Sequence, residues 1–375
     1  HTGRSMKTLR ILADDLTGAL DCAAAFGASV PVHLARPAHD DHHPIDIVAT
    51  ATRDVPVAEL PALLQPSQDW LRSAGVAFKK IDSLLRGNTF DEVDWLARNA
   101  GFRGLAMVPA FPAQRRITQH GQQWWQQVDG SLAPIAESIS QGLQSRGWRV
   151  VTDHAAPSSD GQAIAWVPDI LNDQDLDKVA AHALQTNDWL WCGSAGLAHA
   201  LARTLSSSAP VQAQMQMQTR VPSASNGEVM LVSASHHPVS REQWQVLRAA
   251  RAADCHAGED PSALQGDAVR YPALIDLAAT QTLSPVQAAT LLHAQTRAIA
   301  AHAPRPRTLV VVGGDTLLAL CQALGATGLQ SEVALDRPGW GCARMVGGRW
   351  DGLVCHTRSG AFGGPQDLLE VLASV

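Results

Sequence analysis

Two adjacent carboxylates follow the first apolar segment of the chain. Asp14 and Asp15 stand between the apolar segment Thr8–Ala13 and a helix-like segment, Ala19–Phe26. Ligands of open α/β sheets bind outside the carboxyl ends of the strands, which is where this pair is expected to lie. Carboxylates there can bind sugar hydroxyls, hold a metal or act as a general base. The alternative is that one aspartate caps the helix while the other is solvated.

A second polar cluster follows the apolar segment that ends at Lys80. Asp82, Ser83 and Arg86 come shortly after it, so the cluster offers both charges and a hydroxyl. Arg86 could hold a carboxylate with two parallel hydrogen bonds while Asp82 accepts one from a hydroxyl. A surface turn with local ion pairs would carry the same residue types.

A third segment combines rigidity with positive charge. Pro109–Pro112 places two prolines around an aromatic residue, which restricts the backbone. Arg115 and Arg116 follow, and their guanidinium groups suit an anionic ligand. His120 is interpreted as an ordinary polar histidine rather than a catalytic one.

Glycine loops follow two apolar segments in the second half of the chain. Val310–Val312 leads into Gly313, Gly314, Asp315 and Thr316, and then into a helix-like segment. Glycines allow a close approach of the backbone, and a helix N-terminus offers N–H groups to phosphate. Thr316 could instead be the N-cap of that helix. The chain lacks GxxxxGK[ST], so this is not a Walker A site.

A further glycine loop lies near the C-terminus. Ser359, Gly360, Gly363 and Gly364 come after the last predicted strand. Each glycine could belong to a plain turn. Because polar or glycine-rich segments follow so many of the apolar runs, a ligand site at the strand ends is favoured over a set of unrelated turns.

Apolar runs alternate with helix-like segments along the chain. The predicted strands are Thr8–Ala13, Ile45–Thr50, Gly75–Lys80, Gly104–Pro109, Glu228–Ser233, Thr308–Val312 and Gly352–His356. The predicted helices are Ala19–Phe26, Val57–Leu64, Phe90–Asn99, Arg241–Ala252 and Leu317–Leu324. Such alternation indicates parallel sheets with right-handed crossovers. We therefore predict two α/β domains with mostly parallel sheets that face an interdomain cleft.

The clearest break in composition is Arg203–Glu228. It is rich in Ser, Ala, Gln and Pro and has no sustained amphipathic period, which indicates a linker. Its alternating Gln and Met residues could instead form a strand or the edge of a packed helix. The predicted organisation is an N-terminal domain at 6–205, a linker at 206–228 and a C-terminal domain at 229–375.

Composition excludes several functional classes. The 375 residues carry a formal net charge of -6, with the charges scattered, so no basic face is offered to nucleic acid. No apolar run approaches the roughly 20 residues that span a bilayer. The six cysteines form no CxxC pair, which indicates neither zinc nor disulfides and favours the cytoplasm. His1–Ser5 resembles a vector remnant, so we expect Met6 to be the native start, without a signal peptide.

Taken in order, these motifs resemble those of the four-carbon acid sugar kinase family, from Leu9 to Leu369. The family patterns ADDxTGAxD, KxDSxLRG, PAFPxxGRTT, GSAGLA, GGxT and KSGxFG correspond to Ala13–Asp21, Lys80–Gly87, Pro109–Thr118, Gly193–Ala198, Gly313–Thr316 and Arg358–Gly363. The chain departs from the patterns at three positions. Arg115 replaces a glycine, Ala234 replaces the glycine of a GS pair, and Arg358 replaces a lysine.

The resemblance implies a kinase that transfers phosphate from ATP to a four-carbon sugar acid such as threonate, erythronate or 3-oxo-tetronate. It implies a sugar-acid domain at the N-terminus and a nucleotide domain at the C-terminus. The ATP contacts of the family would correspond to Ser235, to Gly313–Thr316 and to Gly360.

The remaining roles combine this resemblance with the residue types. Mg²⁺ would bridge the phosphates, although its protein ligands are not identified. We expect Arg86 and Arg116 to hold the substrate carboxylate. Asp14, Lys80 and Ser83 would also bind the substrate, and Asp15 or Asp82 would be the general base.

Two alternatives come from other classes. A catalytically silent sugar-acid sensor would keep Arg86 but could lose the nucleotide loops, which are intact at Gly313–Thr316 and Gly360. A phosphatase of the haloacid-dehalogenase type needs D-x-D, and Asp14-Asp15-Leu16 lacks that spacing. We expect a small sugar acid and ATP as partners, and neither nucleic acid nor a membrane; a homo-oligomer is compatible with the sequence. The sequence does not distinguish among the four-carbon acids.

Overall fold

The computed structural model describes residues 7–37, 43–153, 163–208, 228–264, 269–337 and 339–375. The chain divides into two compact units. Unit 1 is His1–Phe26 with Val30–Gln216, and unit 2 is Gly27–Ser29 with Met217–Val375. Each unit combines helices with a mostly parallel sheet, so the predicted α/β class is confirmed.

Unit 1 is built on a parallel sheet. In chain order its elements are β1 (Leu9–Ala13), α1 (Leu16–Ala25), β2 (Pro31–His33), β3 (Ile45–Ala49), α2 (Leu60–Arg72), β4 (Val76–Lys80), α3 (Thr89–Asn99), β5 (Gly104–Val108), β6 (Arg116–Gln119), β7 (Gln122–Gln126), β8 (Leu132–Pro134), α4 (Ile139–Gln144), β9 (Arg149–Val151), β10 (Ile164–Trp166), α5 (Asp173–Ala183), β11 (Trp189–Gly193) and α6 (Ala195–Ser208). The strand order is β2-β3-β1-β4-β11-β5-β10-β9, and every pairing is parallel. A small antiparallel sheet, β6-β7-β8, stands apart from it.

The central strands of unit 1 are buried on both faces. All five residues of β4, β5 and β11 are buried, as expected for a parallel sheet covered by helices on each side. Leu12, Val93 and Leu105 lie in one fully buried core with residues of α2 and α4. Burial of each such side chain stabilises the fold by about 1.5–3 kcal/mol, which fixes the strand ends that carry polar residues.

Unit 2 has a mixed sheet. Its elements are β12 (Val229–Ser233), α7 (Pro238–Arg251), β13 (Cys255–Ala257), β14 (Ala273–Asp276), α8 (Pro285–His302), β15 (Thr308–Val312), α9 (Gly314–Leu324), β16 (Gly328–Ser331), β17 (Gly341–Val346), β18 (Val354–Arg358) and α10 (Asp367–Leu372). The order is β13-β14-β12-β15-β18-β17-β16. The first five strands are parallel, and β17 runs antiparallel to both β18 and β16.

Helix boundaries differ from the sequence predictions where a cap or a proline acts. Helix α1 begins at Leu16 rather than Ala19, because Asp15 accepts a hydrogen bond from the backbone of Gly18. Helix α7 begins at Pro238, which occupies its first turn, rather than at Arg241. Strand β18 runs on to Arg358, two residues beyond the predicted end at His356.

The predicted linker is only partly within the described residues. Helix α6 runs to Ser208, so residues 203–208 of the proposed break are helical. The remainder, residues 209–227, lies outside the described residues, as do its alternating Gln and Met positions. The boundary at 206–228 and the interdomain cleft therefore stay predictions. Across the described ranges, none of the helices combines the length and the apolar character needed to cross a membrane.

Candidate active site

The carboxyl ends of β3, β1 and β4 form one polar edge in unit 1. These three strands are neighbours in the sheet and run parallel, so the segments that follow them meet at the same side. Asp14 and Asp15 follow β1, Arg53 follows β3, and Asp82 with Arg86 follows β4. The sequence motifs of the first half are thus brought together by sheet topology.

Arg53 joins the two adjacent aspartates. Its Nε donates to Oδ2 of Asp14 at 2.8 Å, and its Nη2 donates to Oδ1 of Asp14 at 3.1 Å. Nη1 and Nη2 donate to Oδ2 and Oδ1 of Asp15 at 3.1 and 2.8 Å. Asp14 is buried, whereas Asp15 is half-buried and also caps α1. Asp15 therefore caps the helix as the alternative expected, but the expected solvation of the other aspartate is wrong, because Asp14 is buried against Arg53; a functional role of the pair stays a prediction.

Lys80 lies beneath this pair. Its ammonium group is buried and donates to the carbonyl of Ile81 at 3.0 Å. A Cβ at position 18 would come within 2.7 Å of Lys80 Nζ and 2.5 Å of Asp15 Oδ1, so Gly18 is what allows the lysine to approach the start of α1. Lys80 therefore acts on the site through its charge and the backbone, not through an exposed ammonium group.

Asp82, Ser83, Arg86 and Arg116 form the second half of the cluster. Arg86 donates to Asp82 through Nε, and through Nη2 at 3.2 Å, while its side chain remains largely exposed. Arg116 donates through Nη1 to the hydroxyl of Ser83. Gln123, from the small sheet, donates to the Ser83 carbonyl at 3.1 Å. The small sheet, which the sequence did not predict, thus holds the loop after β4.

Neighbouring positive charges lower the pKa of two carboxylates of the cluster, Asp14 and Asp82. Burial by itself would raise the pKa of Asp14, but Lys79, Arg53 and Lys80 together lower it below its usual value. Burial opposes ionisation of Asp82 in the same way, and its hydrogen bond with Arg86 lowers its pKa overall. Burial by itself would lower the pKa of Lys80, but Cys22 and the carboxylates of Asp15, Asp14 and Asp21 raise it overall, so the ammonium stays charged. Such a cluster suits hydroxyl and carboxylate groups of a polar ligand.

The predicted nucleotide residues of unit 2 also stand at one sheet edge. Ser235 follows β12, Gly313 follows β15 and Gly360 follows β18, and these strands are consecutive neighbours. A Cβ at position 360 would lie 2.3 Å from the Ser235 hydroxyl oxygen, so the two loops are in direct contact. The hydroxyl of Ser240 donates to the Gly360 carbonyl at 2.6 Å. Two of the three predicted loops therefore touch.

Gly313 is the N-cap of α9. Its φ of 104° lies in a region that favours glycine, and its N–H donates to the Arg358 carbonyl at 2.9 Å. Thr316 is buried within the first turn, so its alternative role as N-cap is wrong. Since glycine has no side-chain oxygen, the cap supplies no side-chain acceptor to the N–H groups in the first turn of α9, which suits an anion. Asp315 is exposed in the same turn.

Arg358, at the end of β18, packs in the interior and contacts the loop that contains Gly360. Its side chain is buried and stacks over Trp340, with the guanidinium carbon Cζ 5.0 Å from the ring centre. It donates to the carbonyls of Ser359 and Phe362 at 2.8 and 2.6 Å. Its Nε lies 2.9 Å from Asp367 Oδ2. Arg358 thus holds the loop that contains Gly360 through hydrogen bonds to the residues on either side of it, Ser359 and Phe362.

The Pro109–Pro112 and Gly193–Ala198 motifs pack on each other. Ser194 donates to the Ala110 carbonyl at 2.7 Å and accepts from the N–H of Gly196 at 3.0 Å. A Cβ on Gly196 would lie 2.7 Å from the Ala110 carbonyl oxygen. These motifs therefore support the strand ends. His120 is exposed, in line with its interpretation as an ordinary polar histidine.

Similar proteins include characterised kinases. A family model described as "Sugar-binding N-terminal domain" matches residues 9–145. A D-threonate kinase of Cupriavidus necator is 32% identical over 269 residues, which is 64% of this chain and 63% of that protein. A D-threonate kinase of Salmonella typhimurium is 26% identical, and the match covers 96% of this chain and 97% of the relative. A 3-oxo-tetronate kinase of Burkholderia multivorans, also 26% identical, is covered over 95% of its length.

These similarities agree with the resemblance to the four-carbon acid sugar kinase family that the motifs indicate. A solved structure agrees at the level of the fold: Haemophilus influenzae protein HI1011, of the DUF1537 family, has a TM-score of 0.65 at 17% identity, with 95% of this chain and 97% of that one covered. The resemblance predicted from the motifs is thereby confirmed, and the relatives support sugar-acid kinase as the class of activity.

Two arginines that pair with aspartates at strand ends were not predicted from the sequence. Arg53 follows the predicted strand Ile45–Thr50, so the strand-end argument applied to Asp14 could have found it. Arg241 pairs with Asp276 at the end of β14 through hydrogen bonds of 2.9 and 3.0 Å. No sequence signal pointed to that pair, because β14 was not predicted.

The described part of the chain does not contain a metal site formed by protein side chains alone. No group of three or more His, Cys, Asp or Glu residues there could hold an ion. Mg²⁺ in phosphoryl-transfer sites commonly uses one or two carboxylates together with substrate phosphates. Asp315, exposed beside the glycine cap of α9, fits one such ligand.

Proposed function

We propose that this protein is an ATP-dependent kinase that phosphorylates a hydroxyl, the terminal 4-OH, of a four-carbon sugar acid such as threonate, erythronate or 3-oxo-tetronate. The observation that carries the proposal is the cluster at the carboxyl edge of unit 1, where Asp14, Asp15, Asp82 and Arg86 come together on motifs of the family. The kinase names of the relatives support the same class.

The acceptor is assigned to unit 1. Arg86 binds the acid carboxylate, because its guanidinium is exposed and is already oriented by Asp82. Arg116 is close enough to add a second positive charge, since it contacts Ser83 in the same loop. Asp14, Lys80 and Ser83 shape the rest of the acceptor site, with Lys80 acting from below.

Asp15 is proposed as the general base. It is half-buried, so a hydroxyl can reach it, whereas Asp14 is buried. The pKa of Asp82 is lowered by its hydrogen bond with Arg86, which makes that carboxylate a weaker proton acceptor. Asp15 would take the proton from the attacking hydroxyl, and Asp82 would orient Arg86 and accept a hydrogen bond from the substrate.

The phosphate donor is assigned to unit 2. The backbone around Gly313 and Gly314 approaches the phosphates, Thr316 belongs to the same helix turn, and Ser235 and Gly360 close the other side of the loop cluster. Mg²⁺, when bound to the phosphates, would neutralise the charge that develops during transfer. Asp315 is the proposed protein ligand nearest to that charge. The protein's own contribution is positioning and charge stabilisation.

The alternatives are not favoured. The relatives are named as kinases, and neither a sensor nor a phosphatase is among the named relatives. The cytoplasmic location and a homo-oligomer stay predictions. The test is to incubate the purified protein with ATP, Mg²⁺ and a panel of D- and L-threonate, D- and L-erythronate and 3-oxo-tetronates, and to measure ADP. Consumption of ATP with one or more acids supports the proposal, and no consumption with any acid contradicts it.

A further inference from the structure

A buried ion pair lies behind the acceptor cluster. Lys79 on β4 and Glu92 on α3 are each only 1% exposed, and Nζ lies 2.8 Å from Oε2. The hydroxyl of Thr52 donates to the same Glu92 oxygen at 2.9 Å. Burying two charges carries a desolvation cost, and replacing such a pair by apolar residues of similar volume is often neutral or stabilising. Neither Lys79 nor Glu92 was among the residues predicted to bind substrate.

The segment held by this pair is the one that carries Arg53. The hydroxyl of Thr50 donates to the Ala13 carbonyl at 2.9 Å and lies 2.7 Å from the hydroxyl of Thr52. The N–H of Thr52 donates to the Asp14 carbonyl at 3.0 Å. Residues 50–53 are therefore tied on one side to the loop after β1 and on the other, through Glu92, to helix α3.

The loop after β4 holds the same segment from a third side. Asn88 donates through its side-chain amide to the carbonyls of Thr52 and Val55 at 3.1 and 2.7 Å. A Cβ at position 87 would lie 2.4 Å from the Arg53 carbonyl oxygen, and Gly87 has a φ of 73°. The backbone of Arg53 is thus fixed before its side chain makes any contact.

The guanidinium of Arg53 is nearly saturated by protein acceptors. A guanidinium has five N–H donors. Four hydrogen bonds from Arg53 go to Asp14 and Asp15, two to each carboxylate. An arginine that binds a substrate needs N–H donors that are available to it, as proposed for Arg86. Arg53 instead donates four hydrogen bonds to the two carboxylates. Its side chain is also only 17% exposed.

We propose that Arg53 is a positioning residue of the acceptor site and that Glu92 holds it in place from inside the core through Thr52. Its task is to keep the Asp14 and Asp15 carboxylates in one geometry, so that Asp15 faces the attacking hydroxyl. The inference rests on the proposed kinase function. A purely structural ion pair would affect stability, whereas a positioning residue affects kcat in folded protein.

The experiment compares four variants with the wild-type protein: Thr52→Val, Arg53→Lys, Arg53→Ala and Asp91→Asn. Thr52→Val removes the hydroxyl that donates to Glu92 while keeping the size of the side chain. Arg53→Lys keeps a positive charge, but its three N–H donors cannot replace the four hydrogen bonds that Arg53 makes to the two carboxylates. Asp91→Asn, one position before Glu92 on α3 and paired with Arg146 at the surface, is the matched control. Folding is checked by circular dichroism and Tm, and kcat and KM are measured for the sugar acid and for ATP.

We expect Thr52→Val to lower kcat about tenfold and Arg53→Lys about a hundredfold, with KM for ATP little changed. Asp91→Asn should keep the wild-type kcat. Guanidinium ion added to an Arg53→Ala variant should restore part of kcat, which a loss of stability alone would not allow.

Folded Thr52→Val and Arg53→Lys proteins with wild-type kcat overturn the inference while leaving the kinase function intact. If Arg53→Lys does not fold, the Thr52→Val result decides on its own. A wild-type protein that phosphorylates no acid overturns the proposed function first, and this inference with it.

Discussion

Gly360 and Ser235 are in such close contact that a side chain at position 360 has no room. A Cβ there would lie 2.3 Å from the Ser235 hydroxyl oxygen and 3.0 Å from its Cβ. The two residues follow different strands, β18 and β12, and are far apart in the sequence. Their contact joins two of the loops to which the nucleotide is assigned.

We expect Gly360→Ala to weaken ATP binding by about tenfold or more, because the added methyl group must displace the Ser235 hydroxyl. Gly364→Ala in the same loop is the matched control, since a Cβ there meets no atom within 4 Å. Calorimetric titration of both folded variants with ATP measures the effect. Equal affinities for the two variants and the wild type would mean that the Ser235–Gly360 contact does not form part of the nucleotide site.

Gly314→Val tests the other nucleotide loop. Gly314 is the first residue of α9, where the backbone is proposed to approach the phosphates. A branched side chain there should weaken ATP binding without changing sugar-acid binding. The same titration applies, and an unchanged affinity for ATP in folded Gly314→Val protein would show that this loop is only a turn.

Arg86→Ala is expected to raise KM for the sugar acid by about ten- to a hundredfold with little change in kcat. The reason is that a charge-assisted clamp on the carboxylate acts equally in the ground state and the transition state. Arg98→Ala is a matched control, because Arg98 also pairs with an aspartate four residues away on an exposed surface. Steady-state kinetics decide. A loss confined to kcat in Arg86→Ala would remove the clamp role.

Asp15→Asn is expected to lower kcat at least about a hundredfold while ATP still binds. Asparagine can still accept the hydrogen bond that caps α1, so the helix start is preserved and the lost charge is what is tested. Asp82→Asn should act mainly on KM, since it frees Arg86 from its partner. A nearly normal kcat in Asp15→Asn with a collapsed kcat in Asp82→Asn would reverse the assignment of the base. Normal kcat in both would remove the base role from these motifs.

Stability should fall at acidic pH partly through His356. This side chain lies within β18 and is buried, which lowers its pKa from 6.5 to about 4. The unfolded chain binds a proton below pH 6.5 while the folded protein does not, so stability is complete above that pH and decreases towards pH 4. The shift in the pKa of His356 corresponds to about 3 kcal/mol of the free energy of unfolding. Urea unfolding at pH 7 and pH 5 should show a smaller pH difference for His356→Gln than for the wild type; an equal difference would contradict the prediction. His302→Gln, at the exposed end of α8, is the control.

Sequence reasoning located the strand-end motifs because each follows an apolar run that becomes a buried parallel strand. Asp14, Asp82 and Gly313 stand where these runs end, and sheet topology brings each group together. The reasoning missed Arg53, whose importance comes from contacts with two residues in another loop. It also missed several strands, most of them only three to five residues long: β2, β6–β11, β13, β14, β16 and β17. The burial of Arg358 was missed too, because it depends on Trp340 and Gln243 from distant parts of the chain.

The central claim is tested most directly by following the phosphate itself. The protein is mixed with Mg²⁺, a four-carbon acid that stimulates ATP consumption, and ATP labelled in its γ-phosphate, and the products are separated. We predict that the label appears on the sugar acid as a phosphate monoester of the terminal hydroxyl, in amounts equal to the ADP formed, and that Asp15→Asn abolishes most of this transfer. Label recovered only as inorganic phosphate, or remaining in ATP with every acid tested, would contradict the account.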